Sequence, residues 1–433
     1  MTEHFQDRAR KVLAPPVLET LTAAARAVAE SEEDGAAAGG SLHAVGGVVR
    51  DVLLGRATED LDLVLVGPAE ILVQRIATAL GAAVASESPF GTWRLALPGG
   101  LRLDLAAARS ETYARPGALP SVAEGTLEED LARRDFTLNA LAVRLGQRWG
   151  EPLDPHGGIG DLEEGLLRVL HPGSFTDDPT RILRGLELSQ RLGFAFAPET
   201  AALAVRALAR TRPPGGCLAT LSPARLRTAW RRAWGRIIGR GATALLEGLE
   251  RAGEIGLLAA LGRELDPSLR RLAGRLADAP VDPADAARLL FRALAGDDAG
   301  RARALAARWS SRPQTADAWA GFCHRLRDLR GAADEFEFPS AVDRALGAFE
   351  ADDLRLLELL ADGPLEDLVA DYRERIAPLR LTITGQDLVA AGWNEGPAIG
   401  AALASTRAAR LDGVISPEEE LEYACRVARK ACE

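Results

Sequence analysis

Several residue types are scarce in this sequence, and each scarcity excludes a class of protein. Aromatic residues make up 5% of the 433 residues and there is one methionine, which favours Ala/Leu helix packing over β-sandwich cores. The four cysteines are scattered, without the spacing of a zinc site or the pattern of a disulfide framework. No run of about 18 apolar residues occurs, so we expect no membrane-spanning helix.

Positive charge is also in deficit. Asp and Glu number 62 against 52 Lys and Arg, a formal net charge of −10, which argues against a protein that coats nucleic acid nonspecifically. Lysine occurs only at positions 11 and 430. Genome base composition explains this bias, and phosphate binding by planar guanidinium groups is the functional alternative. The first 13 residues lack the apolar core of a signal peptide, so we expect a cytoplasmic protein.

The overall composition is that of folded domains. Hydrophobic residues make up 47% and charged residues 26% of the chain, and its length corresponds to about two to four domains. Strand and helix periodicities alternate over about the first 140 residues, which predicts a small mixed α/β domain. We predict helices at 14–33, 48–54 and 69–80 and strands at 42–45, 61–66, 92–97 and 101–106, the last two joined in a hairpin by Pro98-Gly99-Gly100.

Two further stretches depart from this alternation. Residues 110–124 contain Pro116, Gly117 and Pro120 and have no apolar period, so we predict a loop, which at this length is uncommon unless functional or mobile. After Asp161 the apolar spacing is helical almost throughout, interrupted by prolines. The sequence therefore predicts a mixed head followed by an elongated helical array.

Two glycines and two aspartates form the first motif that carries chemistry. Gly46 and Gly47 stand between a predicted strand and a predicted helix, where backbone N–H groups without a Cβ nearby can approach a phosphate. Asp60 and Asp62 share one face of a strand, so their carboxylates repel each other unless a cation separates them. Mg²⁺ prefers such oxygen ligands and supports nucleotidyl transfer. A solvated acidic turn is the alternative.

Two more motifs follow, each with a structural alternative. RRDFTLNA at 133–140 combines arginines suited to phosphate with a carboxylate and an amide suited to ribose hydroxyls, ahead of a predicted apolar helix. A helix N-terminus with a solvated charge pair has the same appearance. DDPTRILR at 177–184 is also an ordinary helix start, with an N-cap aspartate and a first-turn proline.

The order of the three motifs identifies a family. GGVVRDVLLGR with EDLDLVL, then RRDFTLNALAV, then DDPTRILRGLELSQRLGF resemble the bacterial class II tRNA nucleotidyltransferase and poly(A) polymerase family, enzymes that build or repair the CCA end of tRNA. LDPHGGIGDLEEGLLRVL is similar to the family's linking motif, and ITGQDLVAAGWNEGPAIGAAL to its tail signature. The resemblance is strong up to Gly239 and extends nearly to the end of the chain.

The resemblance implies roles for residues of the first two motifs. Asp60 and Asp62 match the catalytic carboxylates that bind the metal, expected to be Mg²⁺, and Asp104 lies where a further acidic residue assists. The remaining residues match groups that bind the nucleotide. Gly46, Gly47, Arg50 and Asp51 match the triphosphate-binding turn, and Arg134, Asp135 and Asn139 match the motif that holds the sugar and phosphates.

The third motif implies base selection by protein side chains. Asp178 and Arg181 match the family's amino-acid template, and Arg184 matches a phosphate-contacting arginine. Cytosine and adenine each present an amino donor beside a ring-nitrogen acceptor, which a carboxylate and a guanidinium pair with together. Uracil and guanine present the reverse and would leave buried groups unpaired, at about 1–3 kcal/mol each. We therefore expect CTP and ATP as substrates.

One departure from the family pattern concerns the subtype. Many members carry glutamates where LSPARLRTAW has Ala224 and Ala229 around Arg225, and this version looks more like the subgroup with A-adding and some CCA-adding enzymes. We expect an enzyme that adds CMP and/or AMP to the 3′ end of tRNA and releases pyrophosphate. A specialised A-adding or CC-adding enzyme or a poly(A) polymerase is the alternative, and an inactive tRNA-binding protein is a remote one.

The resemblance also implies an organisation and a partner. We expect an α+β protein with a small mixed-sheet nucleotidyltransferase head at 1–140, then an elongated all-helical part with the base-selecting neck at 141–235, the body at 236–335 and a tRNA-binding tail at 336–433. Arginines would grip the tRNA acceptor arm and elbow through phosphates, and no obligate protein partner is evident. Residues 110–124 are expected to help turn the template between C-sized and A-sized pockets.

Overall fold

A mixed sheet organises the first part of the chain. The computed structural model describes residues 4–33, 39–58, 61–88, 90–209 and 216–430. Within these ranges the strands are β1 (Ser41–Val45), β2 (Asp62–Val66), β3 (Ala83–Ser88), β4 (Thr92–Ala96), β5 (Arg102–Ala107), β6 (Arg109–Thr112), β7 (Ser121–Glu124), β8 (Ala142–Leu145), β9 (Leu166–Leu167) and β10 (Ala195–Phe196). Six of them form one sheet in the order β3-β4-β5-β2-β1-β8.

Strand direction in this sheet places the acidic residues. β2 and β5 run parallel, while the other neighbouring pairs are antiparallel. Leu63 and Leu65 of β2 and Leu103 and Leu105 of β5 are buried, because alternate side chains of a strand share one face. Asp62 and Asp104 occupy the intervening positions of their strands and therefore share the opposite face.

Helices pack around the sheet and continue beyond it. The first compact unit comprises residues 1–240 and 247–264. Its helices are α1 (Phe5–Val12), α2 (Pro15–Glu33), α3 (Gly47–Leu53), α4 (Ala69–Leu80), α5 (Leu127–Ala132), α6 (Gly158–Glu164), α7 (Ser174–Asp177), α8 (Thr180–Leu192), α9 (Pro198–Ala209), α10 (Pro223–Ile238), α11 (Ala242–Glu254), which extends into the second unit, and α12 (Leu257–Ala260), with 3₁₀ turns at Thr137–Asn139 and Gly216–Thr220.

The second unit, residues 241–246 and 265–433, is helical throughout its described part. Aspartates 266, 282 and 298 cap the helices that follow them by accepting backbone N–H bonds. Its further helices are α13 (Pro267–Asp278), α14 (Pro283–Ala293), α15 (Ala299–Trp309), α16 (Pro313–Ala332), α17 (Pro339–Leu346), α18 (Ala351–Leu360), α19 (Pro364–Asp371), α20 (Gly385–Ala390), α21 (Pro397–Leu411) and α22 (Glu420–Lys430), with a π turn at Tyr372–Ile376 and 3₁₀ turns at Ala333–Glu335 and Pro417–Glu419.

Aromatic and Ala/Leu packing builds the core of the second unit. Phe291 lies 4.8 Å from Trp309 and 6.3 Å from Trp319, measured between ring centroids. The Arg292 guanidinium lies 5.4 Å from the Trp319 ring centroid, within cation–π range. Within the described ranges of the chain, no helix combines the length and apolar character needed to span a bilayer.

The predicted fold class is confirmed as a mixed-sheet head followed by a mostly helical remainder. The predicted helices at 14–33, 48–54 and 69–80 and the 92–106 hairpin are also confirmed. The loop prediction for 110–124 is wrong at its ends, because β6 and β7 pair there as an antiparallel hairpin. The helix predicted after RRDFTLNA is also wrong, since a 3₁₀ turn leads into β8. The boundaries of the predicted neck, body and tail remain predictions.

Candidate active site

A cleft of about 1120 Å³ lies beside the sheet in the first unit. Residues of all three sequence motifs line it, although the motifs are far apart in the chain. Asp60, which is outside the described residues, is the one predicted site residue that cannot be placed. The others lining the cleft are Gly46, Gly47, Arg50, Asp51, Asp62, Asp104, Arg134, Asp135, Asn139, Asp178, Arg181 and Arg184.

The turn between β1 and α3 requires glycine at its first position. Gly46 has a φ of 64°, in the left-handed region that a residue with a Cβ rarely adopts. A Cβ on Gly46 would stand 2.8 Å from Nη1 of Arg134. The Gly46 N–H donates to the carbonyl of Leu141 at 3.0 Å. The turn thus brings its backbone directly against an arginine of the second motif.

A buried polar chain connects the first motif to the third. Arg50, only 2% exposed, donates from Nε to Oδ1 of Asp51 at 2.8 Å and from Nη1 to Oδ1 of Asn139 at 2.5 Å. Nδ2 of Asn139 donates to Oδ1 of Asp135 at 3.0 Å, and Asp135 pairs with Arg184 of α8. This chain fixes α3 and α8 to one another through side chains, as buried charges require partners.

The ionisation of Asp135 follows from this chain. Burial alone would raise the pKa of its carboxyl, but the Arg184 guanidinium, the Asn139 amide and the Phe136 backbone N–H together hold that pKa below its ordinary value. Asp135 is therefore a carboxylate at neutral pH. It can accept a hydrogen bond from a sugar hydroxyl but cannot donate one.

A second charged cluster supports the arginines of the second motif. The fully buried carboxylate of Asp130 accepts from Arg133 at 2.5 Å and from Arg134 at 2.8 Å. Glu111 of β6 accepts from Nη1 of Arg133 at 2.8 Å and from the Tyr113 hydroxyl at 3.0 Å. Burial raises the pKa of Tyr113 to about 12. Sequence reasoning missed Glu111 and Tyr113, because they lie in the segment without apolar periodicity.

The predicted catalytic carboxylates meet across parallel strands. Asp62 of β2 stands opposite Asp104 of β5, and Asp104 accepts from Arg94 of β4, Nε to Oδ1 at 2.6 Å and Nη2 to Oδ2 at 3.0 Å. Carboxylate oxygens are suitable ligands for a hard divalent cation. Within the described ranges, no three His, Cys, Asp or Glu side chains are grouped to hold a metal. A metal assignment therefore depends on Asp60 together with Asp62.

The predicted template residues lie at the start of α8. Oδ1 of Asp178 accepts from the backbone N–H and the hydroxyl of Thr180 at 3.0 and 2.8 Å. Arg181 is 6% exposed and donates to the Ser174 hydroxyl at 2.7 Å and to the Arg133 carbonyl at 2.6 Å. The predicted N-cap role of this aspartate is wrong, because Pro179 is the N-cap of α8 and the Asp178 carboxylate instead closes a short turn onto Thr180, while it lines the cleft.

The segment between β6 and β7 lies against the template. The backbone N–H of Gly117 donates to the Thr176 carbonyl at 3.2 Å. Arg225 of α10 donates from Nη1 to the Gly117 carbonyl at 2.7 Å and from Nη2 to Oδ1 of Asp178 at 3.1 Å. One guanidinium therefore connects this segment, α10 and the template. In the sequence, Arg225 is distinguished by Ala224 and Ala229, which stand where many family members have glutamates.

Comparison with known proteins identifies the family. Residues 42–168 match the model of the poly(A) polymerase head domain. A CC-adding tRNA nucleotidyltransferase of Deinococcus radiodurans is 34% identical over 386 residues, which cover 89% of this chain and 88% of that protein. The chain belongs to the tRNA nucleotidyltransferase family. Enzymes of this kind are in general metal-dependent.

Two further comparisons show other proteins to which this chain is similar. An A-adding tRNA nucleotidyltransferase of Halalkalibacterium halodurans is 44% identical over 188 residues, 43% of each chain. The chain thus spans less than half the length of the A-adding relatives it matches. The structure of a Thermotoga maritima CCA-adding enzyme complexed with tRNA superposes with a TM-score of 0.74 at 25% identity, covering 100% of this chain and 99% of that one. The resemblance seen in the sequence is confirmed.

Proposed function

We propose that this chain adds CMP and/or AMP, from CTP and ATP, to the 3′ end of tRNA and so builds or repairs the CCA terminus. The observation that carries this proposal is the convergence of three motifs on one cleft in a tRNA nucleotidyltransferase. A specialised A-adding enzyme is the second candidate. The 44% identity of the Halalkalibacterium halodurans relative over 188 residues favours it.

The metal in this proposal is Mg²⁺, held by Asp60 and Asp62. When bound, it neutralises charge on the reacting phosphates and lowers the pKa of the attacking hydroxyl. Asp62 opens β2 at the cleft, where its carboxylate is exposed. Asp104 has an assisting role, because it stands directly opposite Asp62 in the strand ladder.

The nucleotide would be held by the glycine turn and the second motif. The close backbone approach at Gly46 and Gly47 suits phosphate oxygens, with Arg134 adding positive charge beside them. Asp135 and Asn139 stand in the fixed chain that ends at Arg184, which suits them to ribose hydroxyls and Arg184 to a phosphate. Arg50 and Asp51 support this arrangement from within the protein.

Base selection is assigned to Asp178 and Arg181. Both line the cleft, and the cytosine and adenine edges each offer an amino donor for a carboxylate and a ring nitrogen for a guanidinium. The hydrogen bonds described for Asp178 all fall on Oδ1. Its second oxygen therefore supplies the acceptor for the base.

Product analysis separates the candidates. Labelled tRNAs lacking one, two or three terminal nucleotides are incubated with each nucleoside triphosphate singly, and the products are resolved by length on a gel. We expect CMP addition to the two shorter tRNAs and AMP addition to the tRNA ending in CC. AMP addition alone would identify the A-adding candidate, CMP addition alone a CC-adding enzyme, and addition of many AMP residues a poly(A) polymerase. No addition to any tRNA would reject the proposal.

The 110–124 segment is proposed to set the template for the two bases. Arg225 holds both the Gly117 carbonyl and Asp178, so movement of the segment and movement of the template are coupled through one side chain. We expect Arg225→Ala to change the ratio of AMP to CMP addition by about 5- to 30-fold, since one charge-assisted hydrogen-bond set is lost. Single-turnover rates with CTP and ATP measure this ratio.

The control for this prediction lies on the same helix. Arg231 is exposed on α10 and does not line the cleft, so Arg231→Ala should leave the ratio unchanged. Arg225→Lys should restore the wild-type ratio of AMP to CMP addition only in part, because an ammonium group cannot make the two parallel hydrogen bonds of a planar guanidinium. Equal losses of CMP and AMP addition in Arg225→Ala would contradict a role of the segment in base choice.

A further inference from the structure

Three side chains form a row across three neighbouring strands of the sheet. Arg94 of β4 stands directly opposite Asp104 of β5, and Asp104 stands directly opposite Asp62 of β2. Residues opposite each other in a ladder share one face of the sheet. All three line the cleft. The row therefore extends the proposed catalytic site by one positive side chain that the family motifs do not include.

Asp104 orients Arg94 without using up its donors. A guanidinium has five N–H groups, and the bidentate pair to Asp104 occupies the Nε–H and one Nη2–H. Three N–H groups remain for another acceptor, and the side chain is 51% exposed. Such an exposed ion pair contributes little to the stability of the fold. Folding alone therefore gives little reason for a fixed arginine at this position.

The strand order places Arg94 on one particular side of the proposed catalytic site. The glycine turn follows β1, next to Asp62 on one side, whereas Arg94 lies two strands away on the other side. Two strand spacings amount to about 10 Å. In phosphoryl transfer the attacking and leaving oxygens lie roughly in line. If pyrophosphate leaves on the side of the glycine turn, the attacking hydroxyl arrives from the side of Arg94.

We propose that Arg94, oriented by Asp104, binds the phosphodiester that precedes the 3′-terminal nucleotide of the acceptor RNA. The inference rests on the proposed function. Asp104 is then a positioning residue, because it acts on the substrate through Arg94. The ligand chemistry is a phosphate anion, and the side of the sheet assigns that anion to the RNA rather than to the incoming nucleotide.

Kinetics of Arg94→Gln test the assignment. We expect the KM for tRNA to rise about tenfold, as for loss of one charge-assisted phosphate contact, with the KM for the nucleotide unchanged. Arg94→Lys should show a smaller rise, since it keeps the charge but loses the bidentate hold. Arg206 of α9 is exposed and outside the cleft, so Arg206→Gln is the matched control and should behave as wild type.

Direct measurements of RNA binding test which phosphate Arg94 contacts. A fluorescent acceptor-arm minihelix carries either a normal or an uncharged methylphosphonate linkage before its last nucleotide, and binding is measured by anisotropy. The wild type should lose about tenfold in affinity with the methylphosphonate. Arg94→Gln should bind both RNAs equally, and the slope of log affinity against log salt should fall by about 0.7–1. The Asp104→Asn, Arg94→Gln double variant should bind no more weakly than Arg94→Gln.

The outcomes separate this inference from the proposed function. A wild type that binds neither minihelix and extends no tRNA overturns both. A wild type that binds and extends RNA, with Arg94→Gln equally sensitive to the methylphosphonate, overturns the inference alone. A rise in the KM for the nucleotide with no rise for tRNA would assign Arg94 to the triphosphate and also overturn it.

Discussion

Asp62→Asn is expected to lower the rate of nucleotide addition by roughly 10³-fold or more, which corresponds to losing a large part of the electrostatic stabilisation of the reacting phosphates. The side chain is exposed at the start of β2, so its replacement leaves the core intact and the melting temperature close to that of wild type. Single-turnover primer extension at saturating nucleotide measures the rate. The dependence of that rate on Mg²⁺ concentration reports the metal.

A carboxylate of the same unit supplies the control for Asp62. Glu124 of β7 is exposed and does not line the cleft, so Glu124→Gln should retain the wild-type rate. Nucleotide binding by Asp62→Asn should persist, because the glycine turn and the second motif are unaltered. Activity within about tenfold of wild type, at unchanged Mg²⁺ dependence, would show that Asp62 is not a metal ligand.

Asp178→Ala is expected to reduce the preference for CTP and ATP over UTP and GTP by about 5- to 150-fold, the equivalent of one buried acceptor at about 1–3 kcal/mol. The carboxylate is also bonded to Thr180 and Arg225, so the total rate should fall as well. Selectivity is therefore measured as the ratio of kcat/KM values for the four nucleotides. The Mg²⁺ dependence should remain that of the wild type.

The preceding residue offers a close control for Asp178. Asp177 lies 3.8 Å from Nε2 of His171 and outside the cleft, so Asp177→Ala should preserve the ratio among the four nucleotides. Both variants remove one carboxylate from the same turn, which equalises their effect on local charge. An unchanged ratio in Asp178→Ala would reject this aspartate as the base-selecting group.

Sequence periodicity predicted the elements whose apolar pattern is strong. β4, β5 and the glycine-containing turn between them follow alternation and turn chemistry, and α4 buries Leu72, Val73 and Ile76 on one side. β3 was missed because its side chains are almost all exposed, so no alternation marks it. The prediction of a helix after RRDFTLNA was wrong for a different reason. A short apolar run does not distinguish a buried strand from a helix.

Motif order was more informative than periodicity about the site. The order of the motifs alone predicted that Gly46, Asp62 and Asp178 belong to one site, and all three line one cleft. It did not reveal Arg94, and it singled out Arg225 only by its neighbours Ala224 and Ala229, because the contacts of both arginines depend on which strand or helix lies beside which. Pairing across β4 and β5 and packing of α10 against the 110–124 segment are tertiary facts. Isolated arginines in an arginine-rich sequence carry no such information.

The chain of bonds from Arg50 to Arg184 stiffens the part of the cleft that α3 and α8 line. Sliding α8 past α3 would strip the buried carboxylate of Asp135 from its cation, at about 1–3 kcal/mol. The 110–124 segment, in contrast, is joined through Arg225 to its own backbone carbonyls, which accept a donor equally well after a small shift. Evolutionary conversion between pyrimidine-adding and purine-adding enzymes would then proceed by remodelling that segment, leaving the bonds between α3 and α8 unchanged.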